Sequence, residues 1–224
     1  MKKAILIILV LFLVSSLVAQ TKTAIKLNTG LNVPTSTKYF SDYWGASYNF
    51  GGGVDIYIDS QLSLQGYIDY NHFAFDGQKV LLDLRESNGT SISGSAMNIL
   101  NVSANVKYHL IDIRQKVSPY VLGGFGFANL SLSDFVATNN RGSISTLSVE
   151  SVSGLSISFG GGVEFVISPA VSIFVDARFV LGFTEGKIVR YTSDGINGVN
   201  KTGAYSLIDN TKYIPLRAGV SLGL

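Results

Sequence analysis

The chain has 224 residues, of which 46% are hydrophobic and only 14% charged, well under the usual charged share of about 25%. It has no cysteine, which excludes disulfides, thiolate metal sites and Cys nucleophiles, and its two histidines exclude a multi-His metal centre. No cofactor is expected.

Lys2 and Lys3 precede an apolar run from Ala4 to Val14, and Ser15 to Ala19 follow. This order of a basic, an apolar and a small-residue segment predicts a secretory signal peptide over residues 1–19, with a single domain over 20–224. The leader holds two of the 17 Lys and Arg; removing it leaves fifteen against 15 acids, a net charge of zero. That balance leaves no basic face for nucleic acid.

From residue 22 onward the pattern alternates with period two, the signature of half-buried strands. Eight such segments are expected: Lys22–Val33, Ser47–Ile58, Leu62–Phe73, Met97–Leu110, Pro119–Leu132, Leu155–Ile167, Val171–Phe183 and Tyr213–Leu224. The fifth has no readable face, because Gly123, Gly124 and Gly126 interrupt Val121, Leu122, Phe125 and Phe127. Short turns at Asp59–Gln61, Asp112–Ser118 and Ser168–Ala170 alternate with four long connections, Pro34–Ala46, Ala74–Ala96, Ser133–Gly154 and Thr184–Lys212. An antiparallel up-and-down meander with one plain and one elaborated end follows.

Phe50-Gly51-Gly52-Gly53-Val54-Asp55 recurs as Phe159-Gly160-Gly161-Gly162-Val163-Glu164. A phosphate-cradling loop would need a helix next; a strand follows instead, so the glycines read as places where a curved sheet bends and packs.

Alternation alone allows a secreted, lipocalin-like barrel with an apolar inside, or a membrane barrel with an apolar outside. Charge decides. The apolar faces of the seven readable strands carry no charge, as a lipid-facing wall requires, since charge near the bilayer midplane costs about 2–4 kcal/mol. The polar faces hold Lys26, Asp55, Asp69, Lys107, Glu164, Asp176, Arg178 and Arg217. Four acids against four bases predict an ion-pair network enclosed in a narrow lumen, where an unmatched charge is costly. Aromatics near strand ends (Tyr39, Phe40, Tyr43, Trp44, Tyr48, Phe50, Tyr70, Phe73, Phe75; Tyr57, Tyr108, Tyr120) are expected to form two interfacial girdles.

The leader, the eight strands, the Phe-Gly-Gly-Gly-Val hairpins, Pro119-Tyr120-Val121-Leu122-Gly123-Gly124 and the closing Ile214–Leu224 segment together resemble the OmpA/OmpX-type outer membrane protein β-barrel domain family. Leu224 stands where such barrels carry a terminal aromatic residue. The resemblance implies an eight-stranded transmembrane β-barrel in the bacterial outer membrane. Its short turns would face the periplasm, its long loops the outside, and its C-terminal strand the barrel-assembly machinery. Eight strands leave a lumen just filled by side chains. The expected function is therefore non-enzymatic: envelope structure, adhesion or binding of an extracellular partner by the loops. A narrow channel is the alternative. A lipid-modifying enzyme would need a Ser, a His and an acid at the loop end, where His72 is the only histidine, with His109 at the turn end.

Overall fold

The computed structural model describes residues 22–35, 40–83, 91–94, 96–138, 144–184, 187–194, 200–207 and 210–224. The expected signal peptide over residues 1–19 and the expected girdle residue Tyr39 lie outside them.

Eight long strands close into one antiparallel barrel. In chain order they are β1 (Thr23–Pro34), β3 (Ser47–Tyr57), β4 (Leu62–Phe75), β6 (Met97–His109), β7 (Val117–Leu132), β10 (Val152–Ser168), β11 (Val171–Gly182) and β14 (Thr211–Gly223). Each pairs with the next, and β14 closes on β1 from Ala24↔Gly223 to Pro34↔Tyr213. Closure satisfies the backbone groups of the wall, which is what permits a sheet to cross a bilayer.

Period-two alternation becomes an outside and an inside. Leu27, Leu31, Ile68, Val102, Phe125, Phe127, Leu155 and Phe159 point away from the axis and are more than half or nearly half exposed, while the intervening Lys26, Asn28, Asp69, Asn101, Ser156 and Ser158 are buried. On β10 the outward apolar run from Leu155 to Ile167 exceeds the roughly 9–11 tilted residues that span a bilayer.

The fifth barrel strand, β7, also acquires a face. Val121, Phe125 and Phe127 are exposed, and Tyr120, Leu122, Ala128, Leu130 and Leu132 are buried. Its ambiguity in sequence has a physical source: polarity inverts along the wall. Towards the loop end the inward positions become apolar (Phe73, Met97, Ile99, Ala128, Leu130, Leu132, Val180, Tyr213), and the outward ones become polar. There Tyr70 Oη donates to Asn98 Oδ1 at 2.7 Å, and Asn129 Nδ2 donates to Ser153 Oγ at 2.8 Å. The loop end is built like a water-soluble barrel, the rest like a membrane barrel.

The long connections contain structure that sequence reasoning missed. The first carries α1 (Phe40–Tyr43) and β2 (Trp44–Gly45), which pairs with β4; the second carries α2 (Gly77–Asp83). Five further strands, β5 (Ser91–Gly94), β8 (Phe135–Thr138), β9 (Ile144–Val149), β12 (Lys187–Asp194) and β13 (Asn200–Leu207), form a second sheet in the order β13-β12-β9-β8-β5. This sheet prolongs five barrel strands. Met97↔Leu132 in the wall becomes Gly94↔Phe135 in the extension without a register change, and Val152↔Leu130 becomes Leu147↔Phe135. The β12–β13 hairpin likewise stands on β11 and β14. One side of the barrel is therefore taller than the side made by β1, β3 and β4.

Candidate functional site

The triple-glycine repeats explain how large charged side chains fit in a narrow barrel. Their first and third glycines face the lumen. A Cβ on Gly53 would meet the Tyr67 ring and the Gly66 carbonyl, and one on Gly162 would meet Asp176, the Tyr120 hydroxyl and the Val175 carbonyl.

All eight sequence-predicted lumen charges lie inside, each at least nine-tenths buried, and they fall into two quartets. Towards the short turns, Lys26 Nζ lies 2.8 Å from Glu164 and 3.4 Å from Asp55, and Lys107 Nζ lies 2.9 Å from Glu164 and 3.2 Å from Asp55. Charges alternate around this ring, so each carboxylate is ion-paired with both ammonium groups. The second quartet sits further towards the loops. Arg217 forks onto Asp176 (Nε to Oδ1 2.7 Å, Nη2 to Oδ2 2.8 Å) and directs Nη1 at both oxygens of Asp69 at 3.1 Å. Arg178 Nη2 adds a contact to Asp176 at 3.3 Å.

Neutral residues tie the quartets together; sequence reasoning singled out neither Gln65 nor Tyr67 and expected Tyr120 in a girdle. Gln65 donates to Asp55 at 2.8 Å and accepts from Arg178 at 2.8 Å. Tyr120 Oη donates to Asp176 at 3.1 Å, while Lys107 Nζ sits 4.1 Å from the centre of its ring. Both guanidiniums lie over Tyr67, 5.0 and 5.2 Å from its ring centre, and Tyr67 Oη donates to Asn28 at 2.6 Å. Their signal in sequence was weak: uncharged, polar-capable residues at inward parity. Each quartet has two positive and two negative groups, so neither carries net formal charge. Such matching is what a low-dielectric interior demands.

Above the charges is an amide and hydroxyl layer, in which Asn49 Nδ2 donates to Asn32, Ser156 to Asn101 and Ser158 to Asn105. The apolar layer of the loop-end mouth follows. Here α1 turns Phe40 inward, edge-on to Phe73 at 4.9 Å, and Phe73 is edge-on to Tyr213 at 5.3 Å. This corrects the girdle expectation: Phe40, Phe73 and Tyr120 are buried inside the barrel. Inward strand parity, not nearness to strand ends, decides for Phe73 and Tyr120, and the helix α1 carries Phe40 in. Tyr48, Phe50 and Tyr108 are on the outward face.

The histidines are far apart in role. His72 faces outward, stacked on Tyr48 at 4.7 Å with Nδ1 2.8 Å from Asn98 Oδ1. His109 is in the lumen near the turns, with Nδ1 2.8 Å from Ser118 Oγ. Among the described residues no group of His, Asp and Glu could hold a metal ion.

A closed antiparallel barrel with an apolar exterior, and with charge confined to neutral clusters around its axis, defines a transmembrane β-barrel. The sequence pattern of the outer membrane protein β-barrel domain family matches residues 4–200, and the chain belongs to that family. It is a protein of the bacterial outer membrane. No curated protein matches the sequence. Among solved structures, a major outer membrane protein from Thermus thermophilus is similar at 13% identity, covering 91% of this chain and 99% of that one, with a TM-score of 0.59. OprG from Pseudomonas aeruginosa is similar at 10% identity, 91% and 96% coverage and a TM-score of 0.55. Neisserial surface protein A is similar at 14% identity, 89% and 96% coverage and a TM-score of 0.50. At these identities the likeness is one of fold.

Proposed function

We propose that this chain is a non-enzymatic, closed outer-membrane barrel that holds its outer sheet and loops outside the cell for adhesion, partner binding or envelope structure. The observation that carries this reading is the stack inside the barrel. Two interlocked charge quartets, an amide layer and the Phe40–Phe73–Tyr213 layer occupy successive heights of the lumen. A permeating ion would have to displace salt bridges whose rupture costs about 3–5 kcal/mol each. What is left for outside contacts is the taller side of the wall. Outer-membrane lipid covers the apolar exterior, and β14, the strand that closes on β1, is the segment offered to the assembly machinery.

The test is planar-bilayer recording of the purified, refolded protein. The expected result is a membrane without steady single-channel current. A sustained, reproducible conductance from folded protein would replace this reading with the narrow-channel one.

A further inference from the structure

One seam of the barrel is interrupted. The β11–β14 ladder runs from Val171↔Leu222 to Ala177↔Leu216 and resumes at Val180↔Tyr213, skipping Arg178↔Pro215 and Phe179↔Ile214 with described pairs on both sides. The other ladders of the wall skip no pair in mid-strand.

The cause is Pro215. At the turn end of β14 the Gly223 N–H donates to the Ala170 carbonyl, on the β11 side, and the Leu224 N–H to the Thr23 carbonyl of β1. Odd-numbered residues of β14 therefore turn their main-chain groups to β11, and the unshifted register carries that parity up to Pro215. One residue past β11, the Phe183 N–H donates to the Leu155 carbonyl of β10, so the even-numbered Arg178 faces β14. Arg178 and Pro215 are thus a pair of the kind that exchanges two N–H···O bonds, and Pro215 has no N–H to give. The Arg178 carbonyl is left without its ladder donor.

A groove on the lipid-facing side of the wall reaches this seam. Gly161, Ala177, Ala218 and Thr29, small residues on four consecutive strands, form its floor, and Leu216, next to Pro215, stands beside them. Its volume of about 660 Å³ lies within the roughly 300–1,000 Å³ of ligand pockets. We propose that this groove holds an acyl chain bearing a hydroxyl group, which donates to the Arg178 carbonyl in place of the missing N–H. The inference concerns the wall and is independent of what the loops bind.

Position and chemistry select the occupant. Val175, Leu216 and Val220 around the groove point outward in the apolar belt, where the surroundings are hydrocarbon, so an acyl chain fills it. In hydrocarbon a main-chain carbonyl without a donor is costly, and an unsubstituted chain has no donor. A second copy presenting the same face has none either, because Thr29, the one hydroxyl residue of the groove, already donates to the Asn49 carbonyl at 3.0 Å.

The experiment refolds the full chain into bilayers containing equal amounts of two otherwise identical phosphatidylcholines, one with a hydroxyl on an acyl chain. A series of hydroxyl positions covers the depth of the seam. Native mass spectrometry after extraction in mild detergent reads which lipid stays bound. For at least one position the native chain is expected to keep the hydroxylated lipid about five- to tenfold in preference, as one hydrogen bond supplies. Pro215→Val restores the N–H. It should keep both lipids equally and, in bilayers without hydroxylated lipid, unfold at a higher urea midpoint than the native chain. Ala177→Phe fills the groove, leaves the ladder as it is, and should keep neither lipid. Heat-modifiable migration checks that both variants fold.

A native chain without preference at any hydroxyl position would overturn the inference. So would a preference that persists in P215V, which puts the acceptor elsewhere, or lipid retention unchanged in A177F, which puts the lipid elsewhere. A P215V midpoint no higher than that of the native chain would mean that water in the lumen already serves the Arg178 carbonyl, and would overturn it as well.

Discussion

Arg217 offers the sharpest test of the lumen chemistry. It supplies four hydrogen bonds, two to Asp176 and two to Asp69. Replacing it with Ala affects the two carboxylates unequally. Asp176 retains Arg178 at 3.3 Å and the Tyr120 hydroxyl at 3.1 Å. Asp69 loses the only ion-pair partner recorded for it among the described residues. Two unit charges about 4 Å apart interact by about 4 kcal/mol at an effective dielectric of about 20, and removing one partner of a buried pair costs about 3–5 kcal/mol. We therefore expect R217A to lower the unfolding free energy by about 3–5 kcal/mol, and the R217A/D69N double variant to recover part of that loss. The assay is urea unfolding in lipid vesicles, followed by heat-modifiable migration, with the denaturant slope checked for constancy. Lys79→Ala is the control. Its pair with Asp76 is open to solvent, with side chains 56% and 41% exposed at 3.7 Å, and such a pair contributes about 0–1 kcal/mol. An R217A loss no larger than that of K79A, or a double variant no better than the single, would refute the reasoning.

Three further outcomes are expected. Phe40→Ala removes the inward side chain of α1 and should cost about 3–5 kcal/mol, with faster protease cleavage in the first long loop as its second readout. Gly162→Ala forces a Cβ against Asp176 and Tyr120, and overpacking of that kind should cost about 1–3 kcal/mol in the same unfolding assay. In the turn between β3 and β4, the Gln61 and Leu62 N–H groups donate to Asp59 Oδ1 at 2.6 and 2.7 Å and hold its carboxyl below the usual aspartate range. A depressed carboxyl contributes stability at neutral pH that is lost as pH falls through its folded value, below about 4. Amide exchange at Gln61 and Leu62, corrected for its intrinsic pH dependence, should lose protection on acidification in the native chain and show no such step in Asp59→Asn.

Most of the barrel was legible in the sequence because a membrane strand states its orientation twice, once by apolar residues and once by charge. Strand ends fell within a few residues of expectation: Leu62–Phe73 became Leu62–Phe75, and Leu155–Ile167 became Val152–Ser168. The eight charges could be picked out because charge at inward parity is rare here and has nowhere else to go. The partner of each was not legible, because pairs such as Arg217 with Asp69 join strands far apart in sequence and depend on how the barrel closes. Nor were Gln65, Tyr67 and Tyr120, whose residue types are equally at home on a wet surface. The sheet above the wall was hidden because its strands lack sustained period-two alternation, β8 reading Phe-Val-Ala-Thr and β12 Lys-Ile-Val-Arg-Tyr-Thr-Ser-Asp, so pairing with a neighbouring segment decides. Phe40 was misplaced because its segment has no alternation from which to read parity.

The reversal of polarity along the wall has one more consequence. Asn98, Asn129, Ser131 and Ser153 mark a height on the outside above which hydrocarbon is unwelcome, and Leu155, Phe127 and Leu100 mark the height below which water is. The protein thus carries its own waterline. It cannot ride higher or lower by more than a residue or two, and a bilayer thicker than its oily belt must thin around it or exclude it.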